Sequence, residues 1–235
     1  MPLAAAFLDL GDTLLAERPS RAEIYAAAGR ERGLAVDAAR MAQLMAEAHA
    51  EMPRELGGAF RYSDAWFRAF QRRLFVDELG LDPRELDVLS EELFARFEDP
   101  RTFVLYPGAR ELLRSLRTRG LCVGLLSNWS ARLPRLLAAL ELDGCFDLVL
   151  GSAAERLEKP DPAFFRRALE KAGVRAHEAL HAGDRIDRDA EGALRAGLQA
   201  LLVDHEGRLA GNGQLPCPVA RSLSELGDRI LERCG

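Results

Sequence analysis

Five short apolar runs, most of them separated by helical patterns, limit what this chain can become more than any other feature. They are LAAAFLDL (3–10), LCVGLLS (121–127), FDLVLG (146–151), ALHAGD (179–184) and QALLVD (199–204). Each is apolar nearly throughout instead of alternating with polar residues, as expected of parallel strands covered on both faces. The segments between them carry helix punctuation. PGARELLRSLRTRG (107–120) has Pro107 near its start and Gly120 at its end. DPAFFRRALEKAG (161–173) offers Asp161 as cap, Pro162 at the first helical position and Gly173 past the end. Strands alternating with helices predict a doubly wound parallel α/β sheet.

Residues 16–100 break that rhythm. Segments such as RAEIYAAAGRERG and SDAWFRAFQRRLFVDELG read as helices, and no convincing strand is found there. With 235 residues the chain is long enough for a core plus an insert. The simplest division is an α/β core formed by 1–15 and 101–235, with an all-helical block, 16–100, inserted after the first strand. Trp66, Phe67 and Phe70 share helical spacing and are expected in the core of that block. A Gly/Pro-rich loop at 206–218, a short strand near 219–222 and a final helix from Ser224 complete the expected order.

Composition excludes several classes. Hydrophobic residues make up 48% and charged residues 29%, and the net charge is −5 without a basic block, so nucleic acid is not an expected partner. The four cysteines, Cys122, Cys145, Cys217 and Cys234, form no C-x-x-C pair, which argues against zinc and against a disulfide framework. Cys122 and Cys145 sit in apolar runs and are expected as small core residues. No uncharged apolar stretch approaches the ~18 residues of a membrane span, and no signal-peptide pattern is found, so no membrane is expected and the cytoplasm is the expected location. The four histidines show no metal spacing and are expected to be incidental.

The chemistry collects at strand ends. Asp9, Ser127 and Asp184 close predicted strands, and Lys159 follows the third; in an open parallel sheet the ligand crevice lies just beyond those ends. A carboxylate ending a buried strand is costly unless it is paired, metal-bound or reactive. Asp9 and Asp184 could hold a divalent cation, with Asp189 as a further ligand or supporting acid, and an all-oxygen site with water suits Mg²⁺. Ser127, Asn128 and backbone N–H groups at a helix N-terminus could hold phosphate oxygens, and Lys159 could supply a cation. Asp9 would then be a nucleophile forming an aspartyl-phosphate. Asp187 is expected to cap the helix ending near Gly197.

Four stretches make a resemblance specific: FLDLGDTLL, LLSNWS, EKPDP and HAGDRIDRDAEGA, in this order along the chain. Together they resemble the motifs of the haloacid dehalogenase-like hydrolase superfamily, and YPGARELLRSLRTRG is similar to the helix that usually precedes the second. The resemblance implies a Rossmann-like core with a helical cap domain over 16–100. It implies Asp9 as nucleophile and metal ligand, the Gly11 carbonyl and Asp184 as further ligands, Thr13, Ser127 and Asn128 as groups that orient nucleophile and phosphate, and Lys159 as the fixed cation. A small phosphate ester or acyl phosphate would be the substrate.

One departure bears on mechanism. Phosphatases of this superfamily usually carry an acid two residues after the nucleophile, and here that position is Gly11, with Asp12 next. In extended chain Asp12 would face away from the leaving group, unless Gly11 adopts positive φ and turns it back. The resulting expectation is a weakened or leaving-group-selective phosphatase, with Asp12 as candidate acid. Two alternatives stand beside it. One is a 2-haloacid dehalogenase, which needs no such acid but tolerates the Asp184/Asp189 pair poorly without a cation. The other is a non-catalytic metabolite- or partner-binding protein. Arg185 stands where a small residue is usual and could pair with Asp187 or Asp189, or reach a substrate anion.

Overall fold

The computed structural model describes residues 2–211 and 213–234. Ten strands are found among them: β1 (Ala5–Leu8), β2 (Leu15–Glu17), β3 (Glu55–Leu56), β4 (Ala59–Phe60), β5 (Phe103–Leu105), β6 (Cys122–Ser127), β7 (Leu148–Gly151), β8 (Ala179–Gly183), β9 (Gln199–Val203) and β10 (Val219–Ala220). Six form one sheet in the order β10-β9-β8-β1-β6-β7, with every pairing parallel. The chain leaves β1 toward β6 and β7 and later returns to β8 on its other side. The order therefore reverses around β1, and the C-terminal ends of β1, β6 and β8 border one crevice.

The apolar runs are explained by what covers them. Ala6 and Leu8 pack into one cluster with Leu112, Leu113 and Leu116 of the helix Ala109–Thr118. Ala5 and Phe7 point the other way, into a cluster with Phe164, Phe165 and Ala168 of the helix Pro162–Ala172. Successive strand residues serve opposite faces, so a sheet buried on both sides needs every position apolar. Each fully buried Leu or Phe contributes about 1.5–3 kcal/mol. The expected caps on the helix 162–172 are present: Asp161 accepts from Ala163 N, and Gly173 closes the helix at φ 67°.

The inserted block is helical as expected, with α1 (Arg21–Arg30), α2 (Ala38–Glu51), α3 (Asp64–Gln71) and α4 (Leu86–Arg96). It buries its own cluster, including Tyr25, Met41, Trp66, Phe70, Leu74 and Leu89. Trp66 and Phe70 stack at 5.4 Å between centroids, as their spacing suggested. Ser20 and Glu23 form a capping box at the start of α1, and Ser63 caps α3.

Three features differ from the sequence reading. Strands do occur within 16–100: β3 and β4 form a small antiparallel hairpin, and two glycines at positive φ, Gly57 and Gly58, make its turn. β2 pairs antiparallel with β5, placing the two chain crossings into and out of the helical block side by side. Such strands of two or three residues are too short to show a period. Cys122 and Cys145 are half-buried rather than core residues, and all four cysteines are free thiols. The loop 206–218 has no helix or strand among its described residues; Asn212 lies outside them. No described helix is long and apolar enough to cross a membrane.

Candidate active site

Asp9 leaves the end of β1 with 8% of its surface exposed. Lys159 Nζ lies 2.8 Å from Asp9 Oδ1 and 2.5 Å from Asp189 Oδ1, and Lys159 itself is 3% exposed. Asp184 follows β8, and oxygens of Asp9, Asp184 and Asp189 lie within 4.8 Å of one another. Three carboxylates thus gather about one ammonium group, with residues contributed by the ends of strands far apart in sequence.

The charges respond accordingly. Burial pushes the Asp184 carboxyl up to about 8, helped by the neighbouring charges of Asp9 and Asp189. Burial alone would also raise Asp189, but Lys159 and a hydrogen bond with His181 outweigh it and hold that carboxyl below its usual range. Burial disfavours the Lys159 ammonium, yet Asp189 and Asp9 more than compensate and keep it charged. The cluster carries two more acids than its one lysine can neutralise, which is a donor set suited to a hard divalent cation.

Local structure explains the placement. Asp189 approaches the end of β8 so closely that a Cβ on Gly183 would lie 2.2 Å from its Cγ, so only glycine fits there. Both Asp189 oxygens are engaged: Oδ1 by Lys159 and by His181 Nε2 at 2.8 Å, Oδ2 by the Arg185 backbone N–H at 3.0 Å. This binding leaves Asp9 and Asp184 as the carboxylates with more freedom to take a cation. Asn128 Nδ2 donates to the Lys159 carbonyl at 2.9 Å and Asn128 Oδ1 accepts from the Lys159 N–H at 2.8 Å, which fixes the loop that delivers the lysine.

A cavity of about 530 Å³ opens over this cluster. Asp9, Gly11, Asp12, Ser127, Asn128, Lys159, Asp184 and Asp189 all line it. Trp129 and Phe67 contribute wall, with Arg21 above the Trp129 ring at 5.8 Å.

Several expectations need correction. Thr13 is fully buried and is not a lining residue; its Oγ1 has no hydrogen-bond partner among the described residues, and its carbonyl accepts from His205 Nε2 at 2.9 Å. Ser127 and Asn128 do not sit at a helix N-terminus, because the next helix begins only at Leu133. Gly11 is not the turning residue. Asp12 itself adopts φ 52°, with its N–H bonded to the Leu15 carbonyl at 2.7 Å, since an aspartate tolerates the left-handed region. The turn leaves the Asp12 side chain 46% exposed and 3.6 Å from Arg208 Nη1. Burial raises its carboxyl, against the lowering effect of Arg208. Asp187 pairs with Arg185 at 3.1 Å instead of capping a helix; a π-helical turn over Ile186–Ala190 opens there.

His181 and His205 are not incidental. His181 is fully buried against Asp189, and His205 stacks on Tyr106 with centroids 3.6 Å apart. The signal for His181 was present in the sequence: a lone imidazole in the middle of a strand buried on both faces must have a polar partner.

Comparison with known proteins agrees with this geometry. Residues 3–197 match the family model described as haloacid dehalogenase-like hydrolase. The haloacid dehalogenase-like hydrolase domain-containing protein 3 of Bos taurus is 32% identical over 199 residues, covering 83% of this chain and 79% of that protein. A phosphoserine phosphatase of Thermus thermophilus is 34% identical over 219 residues, covering 84% and 87%. Among solved structures, a 2-haloacid dehalogenase from Pseudomonas syringae superposes with a TM-score of 0.70 at 26% identity, covering 99% of this chain and 100% of that one. An aspartate at the first strand end, a lysine after β7 and two aspartates after β8, on a fold shared with these relatives, place the chain in the haloacid dehalogenase-like hydrolase family.

Proposed function

We propose that the chain is a Mg²⁺-dependent phosphatase acting on small phosphorylated metabolites, with Asp9 as the nucleophile. The observation that carries this reading is the gathering of Asp9, Asp184 and Asp189 within 4.8 Å around the Lys159 ammonium. Asp9 and Asp184, with the Gly11 carbonyl, would hold the cation; Asp189 keeps Lys159 in place. Bound there, Mg²⁺ would supply the positive charge that lets an anionic nucleophile meet an anionic phosphate.

The remaining steps belong to the chain. An Asp9 carboxylate oxygen attacks phosphorus, the ester oxygen departs, and an aspartyl-phosphate forms. Water then cleaves that acyl phosphate, releasing orthophosphate and restoring Asp9. Lys159 holds the attacking carboxylate and offers charge to the phosphoryl oxygens. Asp12 lines the cavity with a raised pKa and is the candidate proton donor, from a displaced position beside Arg208. A displaced donor favours leaving groups that need little protonation, such as acyl and aryl phosphates. Residues 16–100 act as a cap domain whose Tyr25, Tyr62 and Phe67 wall the cavity and select substrate.

A second reading is a 2-haloacid dehalogenase, favoured by the Pseudomonas syringae neighbour and by Gly11. It fits less well, because without a cation Asp184 would stay protonated beside Asp9, a buried carboxyl that a metal-free reaction gives no task. The deciding assay measures phosphate release from p-nitrophenyl phosphate with Mg²⁺ or EDTA, and halide release from 2-chloropropionate, on wild type and Asp9→Asn. Phosphate release abolished by both EDTA and Asp9→Asn supports the phosphatase. Metal-independent halide release, or no turnover of either substrate, overturns it.

A further inference from the structure

A second cavity of about 220 Å³ adjoins the first and shares Tyr62, Asn128, Lys159 and Arg188 with it. Its wall also includes Arg54, Arg61 and Glu158. Two of its charges are committed elsewhere: Lys159 to Asp9 and Asp189, and Asp187 to Arg185 at 3.1 Å. What remains is three guanidinium groups facing one buried carboxylate, Glu158, with Asp161 3.9 Å from Arg54 as the other acid in reach.

That balance is incomplete in two ways. Glu158 is 3% exposed; its Oε1 meets Arg54 Nε at 2.8 Å and Arg61 Nη1 at 3.6 Å, but its buried Oε2 has no hydrogen-bond partner among the described residues. Arg61 Nε is likewise a buried donor without a partner, although Arg61 Nη2 is held by the Met52 carbonyl at 2.7 Å. The nearest acid to Arg188 is Asp187, at 4.0 Å, and Asp187 is already paired with Arg185. Excess positive charge, an orphaned donor and an orphaned acceptor in one small space describe a site awaiting a ligand group. A planar carboxylate matches the fork of a guanidinium, and a hydroxyl or ammonium beside it would satisfy Glu158 Oε2.

We propose that this side cavity receives a carboxylate carried by the substrate, flanked by a hydrogen-bond donor, while the phosphoryl group of the same molecule reaches Asp9. The inference rests on the phosphatase reading and narrows its substrates to phosphorylated hydroxy- or amino acids.

The test is calorimetric binding with Mg²⁺, which needs no turnover. It compares 3-phosphonopropionate and its 2-amino derivative with propylphosphonate, on wild type, Arg188→Gln and Arg61→Lys. The carboxylates are expected to bind about tenfold or more tightly than propylphosphonate, from charge-assisted hydrogen bonds to a guanidinium. The 2-amino group is expected to add a further gain, and Arg188→Gln to reduce the ratio to about twofold or less. Arg61→Lys keeps the charge but loses the fork, so it should lie in between. Equal binding of all three phosphonates to wild type, or a preference that survives Arg188→Gln, overturns the side-cavity proposal and leaves the phosphatase standing. Failure of every phosphonate to bind overturns both. Selective binding without hydrolysis of p-nitrophenyl phosphate overturns only the phosphatase.

Discussion

Removing the Lys159 ammonium should expose how much of this fold depends on one buried charge. Lys159 is 3% exposed and contacts Asp9 at 2.8 Å and Asp189 at 2.5 Å, so Lys159→Met leaves the acidic cluster without its cation. Breaking a buried pair by deleting one partner costs about 3–5 kcal/mol, because the other charge stays buried and unpaired. For a chain of this size each kcal/mol moves Tm by about 2–4 °C, so the metal-free variant should melt roughly 6–20 °C below wild type at pH 8. The sign with pH follows from the loss of the partner. Without Lys159 the folded-state pKa values of the carboxylates rise above their unfolded values, so the variant recovers stability as pH falls and the acids take up protons. Mg²⁺ should recover part of the loss at pH 8, since it supplies the missing charge. Scanning calorimetry in EDTA and in Mg²⁺ at pH 5 and pH 8 reads all three effects. A variant that melts within about 2 °C of wild type at pH 8 in EDTA would refute the view that this lysine neutralises the cluster.

Three further outcomes are expected. The Asp184 carboxyl, raised from 3.8 to about 8, keeps its proton in the folded state where the unfolded chain has lost it, so this group makes metal-free stability fall as pH rises from about 4 to about 8; Mg²⁺ should flatten that slope, and a metal-insensitive thermal profile would count against a cation at Asp184. Asp12→Asn should slow hydrolysis of a sugar phosphate by about 10² or more while changing acetyl phosphate turnover far less, as a proton donor requires; equal losses on both substrates would leave Asp12 a structural residue. Gly183→Ala would place a Cβ 2.2 Å from Asp189 Cγ, so overpacking should cost about 1–3 kcal/mol in thermal unfolding and displace the acid that holds Lys159; unchanged Tm together with unchanged turnover would show that the site can yield.

The sequence by itself determined the α/β sheet, its two covered faces and the helical nature of 16–100, because these follow from local periodicity and from punctuation such as Asp161 and Gly173. It also marked Asp9, Lys159, Asp184 and Asp189, whose spacing relative to strand ends carries the family resemblance. The tertiary structure decided what those residues do to one another. Only in three dimensions do both Asp189 oxygens prove occupied, does Asn128 turn out to clamp Lys159, and does Thr13 fall behind the cavity wall. The left-handed turn at Asp12 and the side cavity between Arg61, Glu158 and Arg188 were equally hidden. Periodicity is a property of neighbours in the chain, whereas burial, pKa and unmet hydrogen bonds are set by groups distant in it, such as His205 and Thr13, which bond across 192 residues. Those contacts exist only once the sheet has closed around them.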